Sequence, residues 1–212
     1  MMEFIKQPMA IEHRSMELIA PYLAGLSLSE AEKKVYSRII HAAGDVEYAP
    51  IIRISETAVA AGIAALRGGA DIYTDVEMVR TGINKRKLAS FGGTVHCRIA
   101  DPDIVARAKA QGVTRSLMAM RSFGAALTGS VIAIGNAPTA LFEVLRLVRE
   151  EGVRPACIVG IPVGFVGAAD SKKELAENGL VPYITVEGTK GGSPIAAAAV
   201  NAMLYEIDDG RD

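Results

Sequence analysis

The segment Ser130-Val131-Ile132-Ala133-Ile134-Gly135-Asn136-Ala137-Pro138-Thr139 decides how the rest of the chain is organised. Its first half is a short apolar run of the kind that forms a buried strand. Pro138 is suited to the first turn of a helix, so we predict a strand over 130–134 that leads directly into a helix ending near residue 151. A strand followed at once by a helix is typical of an α/β sheet.

The same alternation continues on both sides of this segment. Helical patterns separate five further apolar runs, at 51–54, 71–73, 94–99, 156–161 and 183–186. Strands that alternate with helices predict an α/β fold, with a mainly parallel central sheet and helices on both faces.

Helical spacing over 11–24 and 29–41, before the first strand, predicts an N-terminal helical segment. We expect a single domain over residues 1–212, with a helical part at about 8–45 and an α/β part at about 50–206. A final helix is predicted over 195–205, and its small residues at 196–199 suit close packing on the sheet or on a second subunit.

The composition argues against several classes of protein. Half of the residues are hydrophobic, which is enough for a sizeable core. The formal net charge is −1, so the protein has no overall positive field and we expect no nucleic-acid partner. Residues 1–6 show no signal-peptide pattern, and the most apolar run, 156–169, is too short to span a membrane. Cys97 and Cys157 lie far apart in the sequence, which favours a reduced, cytoplasmic setting. The sequence shows no cluster of Cys and His residues with metal-ligand spacing, so we expect no bound metal.

His41 has the most informative setting of the three histidines. Ser29 and Glu32 have capping-box spacing and Gly44 suits a left-handed helix end, which places His41 in the last turn of a helix. The helix dipole favours a protonated imidazole there, whereas Arg38 opposes it. A solvated or helix-stabilising histidine is the ordinary interpretation, and a proton donor beside an acidic ligand is the alternative.

Groups that suit an anionic ligand recur along the chain. The 135–139 loop offers backbone amides ahead of a helix, although a plain turn uses the same residues. The 188–193 loop combines three glycines with a lysine and matches no nucleotide-binding fingerprint; an ordinary flexible loop is the alternative. The apolar 162–167 segment either walls a pocket for a flat ligand or simply ends a strand. Thr114-Arg115-Ser116 and Arg14-Ser15 offer guanidinium and hydroxyl groups that suit a carboxylate, although each alone is more often an ordinary surface feature. The candidate ligand-binding residues are Arg14, Ser15, Arg38, Thr114, Arg115, Ser116, Gly135, Asn136, Lys190 and Gly191.

Together, these blocks make the sequence similar to the precorrin-8X methylmutase family, which includes the cobalt-precorrin-8 methylmutases. The resemblance extends over nearly the whole chain. It rests on Arg14-Ser15, Arg38 with His41-Ala42-x-Gly44, Asp75-x-Glu77-Met78-Val79, Thr114-Arg115-Ser116, Gly129-Ser130-Val131, Ile134-Gly135-Asn136-Ala137-Pro138-Thr139-Ala140-Leu141, Pro162-Val163-Gly164-Phe165-Val166-Gly167-Ala168-Ala169-x-Ser171-Lys172 and Gly188-x-x-Gly191-Gly192-Ser193.

The resemblance implies an isomerase of cobalamin biosynthesis that moves a methyl group from C-11 to C-12 of a corrin-like tetrapyrrole. It implies that His41 is the catalytic acid, that Ser15 contacts the ligand, and that the protein is a homodimer with sites near the subunit interface. No cofactor is expected, because any cobalt arrives with the substrate, and the sequence leaves open whether it does. A non-catalytic corrinoid carrier and a phosphate-ester enzyme that uses the 188–193 loop are the alternative hypotheses.

Overall fold

The computed structural model describes residues 5–207, and the predicted domain of residues 1–212 extends beyond that part at both ends. The described helices are α1 (Pro8–Leu23), α2 (Glu30–Ala43), α3 (Ala58–Arg67), α4 (Glu77–Gly82), α5 (Lys85–Ser90), α6 (Pro102–Gln111), α7 (Arg115–Phe123), α8 (Pro138–Glu150), α9 (Ala168–Glu177) and α10 (Ser193–Tyr205). The described strands are β1 (Ile52–Ile54), β2 (Ile72–Thr74), β3 (Val95–His96), β4 (Val131–Ile134), β5 (Cys157–Gly160) and β6 (Tyr183–Val186). Short 3₁₀ turns cover Val46–Ile51 and Gly124–Leu127.

The strands form one sheet in the order β1-β6-β5-β4-β2-β3. All neighbouring pairs are parallel except β1 and β6, which are antiparallel with Ile52 opposite Val186. The predicted mainly parallel sheet is therefore confirmed, with one reversed edge strand that the sequence did not predict. Because β1 is reversed, it begins at the same edge at which the parallel strands end.

Helices cover both faces of the sheet, as predicted. Side chains of β4 alternate between the two faces: Val131 and Ala133 pack with α2, α3 and α10, whereas Ile132 and Ile134 pack with α8. All four are fully buried, which explains why this strand reads as a continuous apolar run.

Both predicted ends of α2 are confirmed. The Ser29 side chain accepts a hydrogen bond from the Glu32 amide, while the Glu32 carboxylate accepts one from the Ser29 amide at 2.8 Å. Gly44 ends the helix in the left-handed conformation, at φ 62°. The capping pattern therefore fixes the position of His41 in the last turn.

The alanines of α10 pack against other elements of the same chain. Ala196, Ala197 and Ala199 are buried, and the helix packs on α2, α3, α4 and the sheet. Of the two predicted uses of these small residues, close packing within the fold is the one observed. They do not offer an open face to a second subunit.

The structure differs from the prediction at three elements. The strand expected over 94–99 is reduced to β3, because β3 lies at the sheet edge and pairs only with β2. Helix α1 begins at Pro8, at the expected start of the helical part but three residues before the helical spacing over 11–24, because Pro8 suits a first helical turn; it passes through Pro21 and ends at Leu23. Helix α5, capped by Asn84, was not predicted. None of the helices within residues 5–207 is long and apolar enough to cross a membrane.

Candidate active site at the carboxyl edge of the sheet

Ligands of open α/β sheets bind beyond the carboxyl ends of the strands. In this protein that edge joins the loops after β2, β4, β5 and β6, and the reversed β1 brings the end of α2 to the same edge. Contacts between these segments confirm the convergence: Asp75 after β2 binds the loop after β4, and Lys190 after β6 binds the segment after α2.

His41 lies in the last turn of α2, and its side chain is exposed. The imidazole of His41 has no hydrogen bond or ion pair with any residue between positions 5 and 207. An exposed, unpartnered imidazole can reach a ligand without first breaking a contact in the protein.

Arg38 precedes His41 by one turn and is already engaged. Its Nη2 atom donates to Glu12 Oε1 at 2.8 Å, and its guanidinium lies 4.7 Å from the centre of the Tyr205 ring. The Glu12 contact places the first half of α1 beside the last turns of α2. Binding of substrate by Arg38 stays a prediction and would have to compete with Glu12.

Arg14 and Ser15 lie on that same half of α1. Arg14 Nη1 forms a 2.9 Å ion pair with Glu17, and both side chains are largely exposed. The Ser15 hydroxyl donates to the Ile11 carbonyl at 2.9 Å and is half-buried. Both residues are thus near the end of α2 that carries His41, and their contacts with a ligand stay predictions.

The segment 114–116 lies beside the loop after β4. Thr114 caps α7, and its Oγ1 atom is 2.7 Å from Oγ1 of Thr139 in the first turn of α8. Arg115 is exposed and has no ion pair within the described part of the chain, whereas Ser116 is buried. The predicted hydroxyl and guanidinium groups are therefore brought to the 135–139 loop, with Arg115 available for an anion.

The 135–139 loop already holds a carboxylate of the protein itself. Asp75 is fully buried and accepts hydrogen bonds from the backbone amides of Gly135, Asn136 and Ala137 at 3.0, 2.9 and 2.7 Å. Burial raises the pKa of Asp75, and the three amide donors oppose that rise. The premise that these amides are free for a ligand is wrong, because Asp75 occupies them. Binding by Gly135 and Asn136 stays a prediction, and the exposed Asn136 side chain is the group left to do it.

Lys190 is also paired within the protein. Its Nζ atom lies 2.7 Å from Asp45 Oδ2 and 2.9 Å from Glu47 Oε2. The two carboxylates raise the pKa of Lys190, and Lys190 lowers the pKa of Asp45. Its charge is therefore neutralised locally, which removes the free lysine needed by the phosphate-ester hypothesis. Next to it, Gly191 has φ 152°, and a Cβ there would lie 2.6 Å from the Ile161 carbonyl oxygen.

Two residues of this edge, Asp75 and Lys172, were part of the family-like sequence blocks but were not assigned to the site. Asp75 directly follows a strand, and its place at the carboxyl edge was a usable signal. Lys172 is only 1% exposed, and its Nζ donates to the Lys190 carbonyl at 2.5 Å. Burial lowers the pKa of Lys172 to about 8. Helical spacing from Ala168 and Leu175, both buried, placed Lys172 on the inner face of α9.

Two further features flank the edge. A groove of about 520 Å³ lies between α9 and strands β6 and β1, and none of the predicted site residues lines it. Beyond β5, Phe165 and Val166 are 95% and 90% exposed, so the predicted apolar segment projects into solvent. Among residues 5–207, no group of three or more His, Cys, Asp or Glu side chains is arranged to hold a metal ion.

The fold and this edge define an α/β protein that brings together an exposed histidine, an exposed arginine and several hydroxyl groups where the parallel strands end. Residues 10–206 match the model of the precorrin-8X methylmutase family, and the chain belongs to that family. The resemblance seen in the sequence is thereby confirmed.

Individual relatives cover nearly the whole chain. A cobalt-precorrin-8 methylmutase from Priestia megaterium is 40% identical over 204 residues, which are 96% of this chain and 90% of that protein. A precorrin-8X methylmutase from Sinorhizobium sp. is 43% identical over 202 residues, which are 95% and 96% of the two chains. The solved structure of precorrin-8X methylmutase from Thermus thermophilus has a TM-score of 0.83 and 37% identity, covering 92% of this chain and 96% of that one.

Family membership gives the class of reaction. The chain is an isomerase of cobalamin biosynthesis of the type that transfers a methyl group within one molecule. The relatives named cobalt-precorrin-8 methylmutase and precorrin-8X methylmutase have nearly the same sequence identity to this chain, 40% and 43%. Sequence identity alone therefore does not choose between the two substrates.

Proposed function

We propose that this protein converts precorrin-8X, or its cobalt-containing counterpart cobalt-precorrin-8, by moving a methyl group from C-11 to C-12 of the macrocycle, with His41 as the proton donor. The observation that carries this function is the exposed imidazole of His41, unpartnered within residues 5–207 and placed at the carboxyl edge of the sheet. A tetrapyrrole with acidic side chains is the substrate class, and any cobalt belongs to the substrate rather than to a site on the protein.

The reaction is an isomerisation, so its atoms balance within one molecule. The bond from C-11 to the methyl carbon breaks and the bond to C-12 forms, and no external methyl donor is consumed. His41 donates a proton to the macrocycle to give the tautomer that undergoes the 1,5-shift, and it later takes a proton back. General acid catalysis by one positioned side chain is typically worth about 10² to 10⁴ in rate.

The acidic side chains of the substrate need cationic and hydroxyl partners. Arg115 is the group best placed to supply a charge, because it is exposed and has no ion pair within the described residues. The hydroxyls of Thr114 and Ser15 and the amide of Asn136 add neutral donors on the surrounding segments. Charge-assisted hydrogen bonds from arginine to carboxylates are about twice as strong as neutral ones.

Turnover by His41→Ala tests this function. Wild type, His41→Ala and His13→Ala are incubated with precorrin-8X and, separately, with cobalt-precorrin-8, and the visible spectrum of the macrocycle is followed. His13 is the matched control, because it is an exposed helix histidine paired with Glu17. We expect His41→Ala to lower kcat by about 10² to 10⁴ and His13→Ala to match wild type.

The same experiment separates the enzyme from a corrinoid carrier. Unchanged conversion by His41→Ala would remove His41 from the acid role. Wild type that binds both macrocycles but converts neither would establish the carrier function instead. The substrate that wild type converts faster identifies the natural form.

We propose in addition that the protein is a homodimer. Helix α1 exposes large apolar side chains that a second copy would cover: Met9 (75%), Ile11 (45%), Leu18 (56%) and Tyr22 (54%). A mass near 22.3 kDa by sedimentation, that of one chain, would reject the dimer.

A further inference from the structure

We propose that Lys190 and Lys172 are positioning residues, which together hold the end of the His41 helix against the loop after β6. This inference rests on the proposed function, because that function gives His41 the role of the acid that must be positioned. It replaces the substrate contact expected for Lys190 with a contact inside the protein. The geometry carries it in three steps.

The first step joins the loop to the segment after α2. Lys190 Nζ lies 2.7 Å from Asp45 Oδ2 and 2.9 Å from Glu47 Oε2, and 5.5 Å from the centre of the Tyr48 ring. Two of its three N–H groups are thus committed to carboxylates only four and six residues beyond His41. A substrate carboxylate would have to use the one remaining N–H group or displace one of these carboxylates.

The second step joins that segment to the helix end. Asp45 binds Lys190 through Oδ2, and its Oδ1 accepts from the Glu47 amide at 2.9 Å. The Gly44 and Asp45 amides both donate to the Ile40 carbonyl, at 2.9 and 3.4 Å. The residue that Lys190 holds is therefore bonded back to the turn that carries His41.

The third step anchors the loop from beneath. Lys172 is buried, and its Nζ donates to the carbonyl of Lys190 itself at 2.5 Å. The neighbouring Thr189 carbonyl accepts from the Gly164 amide, and the Gly192 amide donates to the Ile161 carbonyl. Lys172 thus fixes the backbone from which the Lys190 side chain extends, and the connection runs from α9 to the end of α2.

Three lysine variants test the connection in the protein without ligand. Lys190→Met and Lys172→Met keep the approximate length of the side chain and remove the contacts. Lys173→Met is the matched control, because Lys173 lies on the same helix and is 74% exposed. Hydrogen exchange of the Gly44 and Asp45 amides and the NMR signals of the His41 ring are measured for each variant. We expect both test variants to lose amide protection and shift the His41 signals, and Lys173→Met to match wild type.

Turnover is then measured with the substrate that wild type converts. A misplaced catalytic group costs up to about 10²-fold, so we expect Lys190→Met to lower kcat by about ten- to hundredfold with KM within about threefold of wild type. Lys190→Arg keeps a cation between the two carboxylates and should restore kcat. Because both lysines act through one contact chain, the double variant should be no slower than Lys190→Met alone.

The outcomes separate this inference from the proposed function. A large rise in KM for Lys190→Met, with unchanged amides and kcat, would make Lys190 a substrate contact and overturn the positioning role. Unchanged amides and turnover in Lys190→Met would overturn it as well, and this holds even if Lys172→Met fails to fold. If wild type does not convert the substrate, the proposed function fails, and the exchange of the Gly44 and Asp45 amides still decides whether the lysines hold the helix end.

Discussion

The two glycine loops at the carboxyl edge look alike in sequence and are used differently. Each follows a parallel strand, precedes a helix and contains glycine, so each resembles a cradle for an anion. The 135–139 loop is filled from within by Asp75, which binds three of its amides. The 188–193 loop is held through a carbonyl by Lys172, while Lys190 reaches outward to two carboxylates.

The difference shows that backbone amides in such a loop are able to bind an anion, but that an acceptor within the protein can already occupy them. Whether the capacity is free depends on a side chain distant in sequence: Asp75 precedes Gly135 by 60 residues, and Asp45 precedes Lys190 by 145. Buried amides must be satisfied by some acceptor. Because Asp75 occupies three amides of the 135–139 loop, we expect the side chains around the loop, rather than its backbone, to bind the ligand.

Removal of Asp75 should give the largest loss of stability of the changes proposed here. A small loss would contradict the view that Asp75 holds the 135–139 loop. Asp75→Ala leaves the amides of Gly135, Asn136 and Ala137 without their acceptor, and we expect the free energy of unfolding to fall by about 4 kcal/mol. Urea denaturation measures it. Asp75→Asn, which keeps one carbonyl oxygen, should lose less, and Asp170→Ala on the exposed surface of α9 should match wild type. A loss below about 1 kcal/mol for Asp75→Ala would mean that the loop amides find other partners.

Lys172 should make the second loop sensitive to alkaline pH. Its folded pKa of about 8 lies below the ordinary 10.5, so between these values the unfolded chain binds more protons than the folded protein. Wild type should therefore gain stability as pH rises through this window, by about 3 kcal/mol relative to Lys172→Met. Denaturation of both proteins at pH 7.5 and pH 10.5 measures the difference, because all other titrating groups are shared. A pH-independent difference would show that the folded protein binds this lysine's proton as tightly as the unfolded chain does.

One alanine substitution in each loop sharpens the comparison with a smaller effect. A Cβ at Gly135 would lie 2.7 Å from the Ser193 Cα, so Gly135→Ala should cost about 2 kcal/mol through overpacking. A Cβ at Gly188 meets nothing within 4 Å, so Gly188→Ala should cost only the strain of its positive φ, about 1 kcal/mol. Equal losses on urea denaturation would show that both loops are packed equally tightly.

Local signals predicted much of the fold. The capping box at Ser29 and the glycine at 44 fixed both ends of α2, and apolar runs located strands β4, β5 and β6 within one residue. These elements were predictable because their determinants lie within a few residues of each other. The reversal of β1 was not predictable, because it depends on pairing with a strand at the other end of the sequence.

The candidate site divides in the same way. The setting of His41 follows from the local end of its helix, and the structure places it as predicted. The internal partners of Lys190 and of the Gly135 amides depend on tertiary contacts, so a sequence pattern shows the donors and hides the acceptors. A charged residue predicted at this edge can therefore bind a partner inside the protein instead of the ligand, as Lys190 does.

The reversed strand β1 also has a consequence for the order of assembly. Ile54 pairs with Ile184, so the edge closes only when segments from opposite ends of the sequence meet. Contacts of such high sequence separation carry the largest loop-closure cost, so we expect this pairing to form late in folding. The parallel strands can thus come together while the helix that carries the histidine is still undocked. We therefore expect His41, the proposed acid, to be the last part of the site to dock, so that a partly folded chain would present the other residues of this edge without its proton donor.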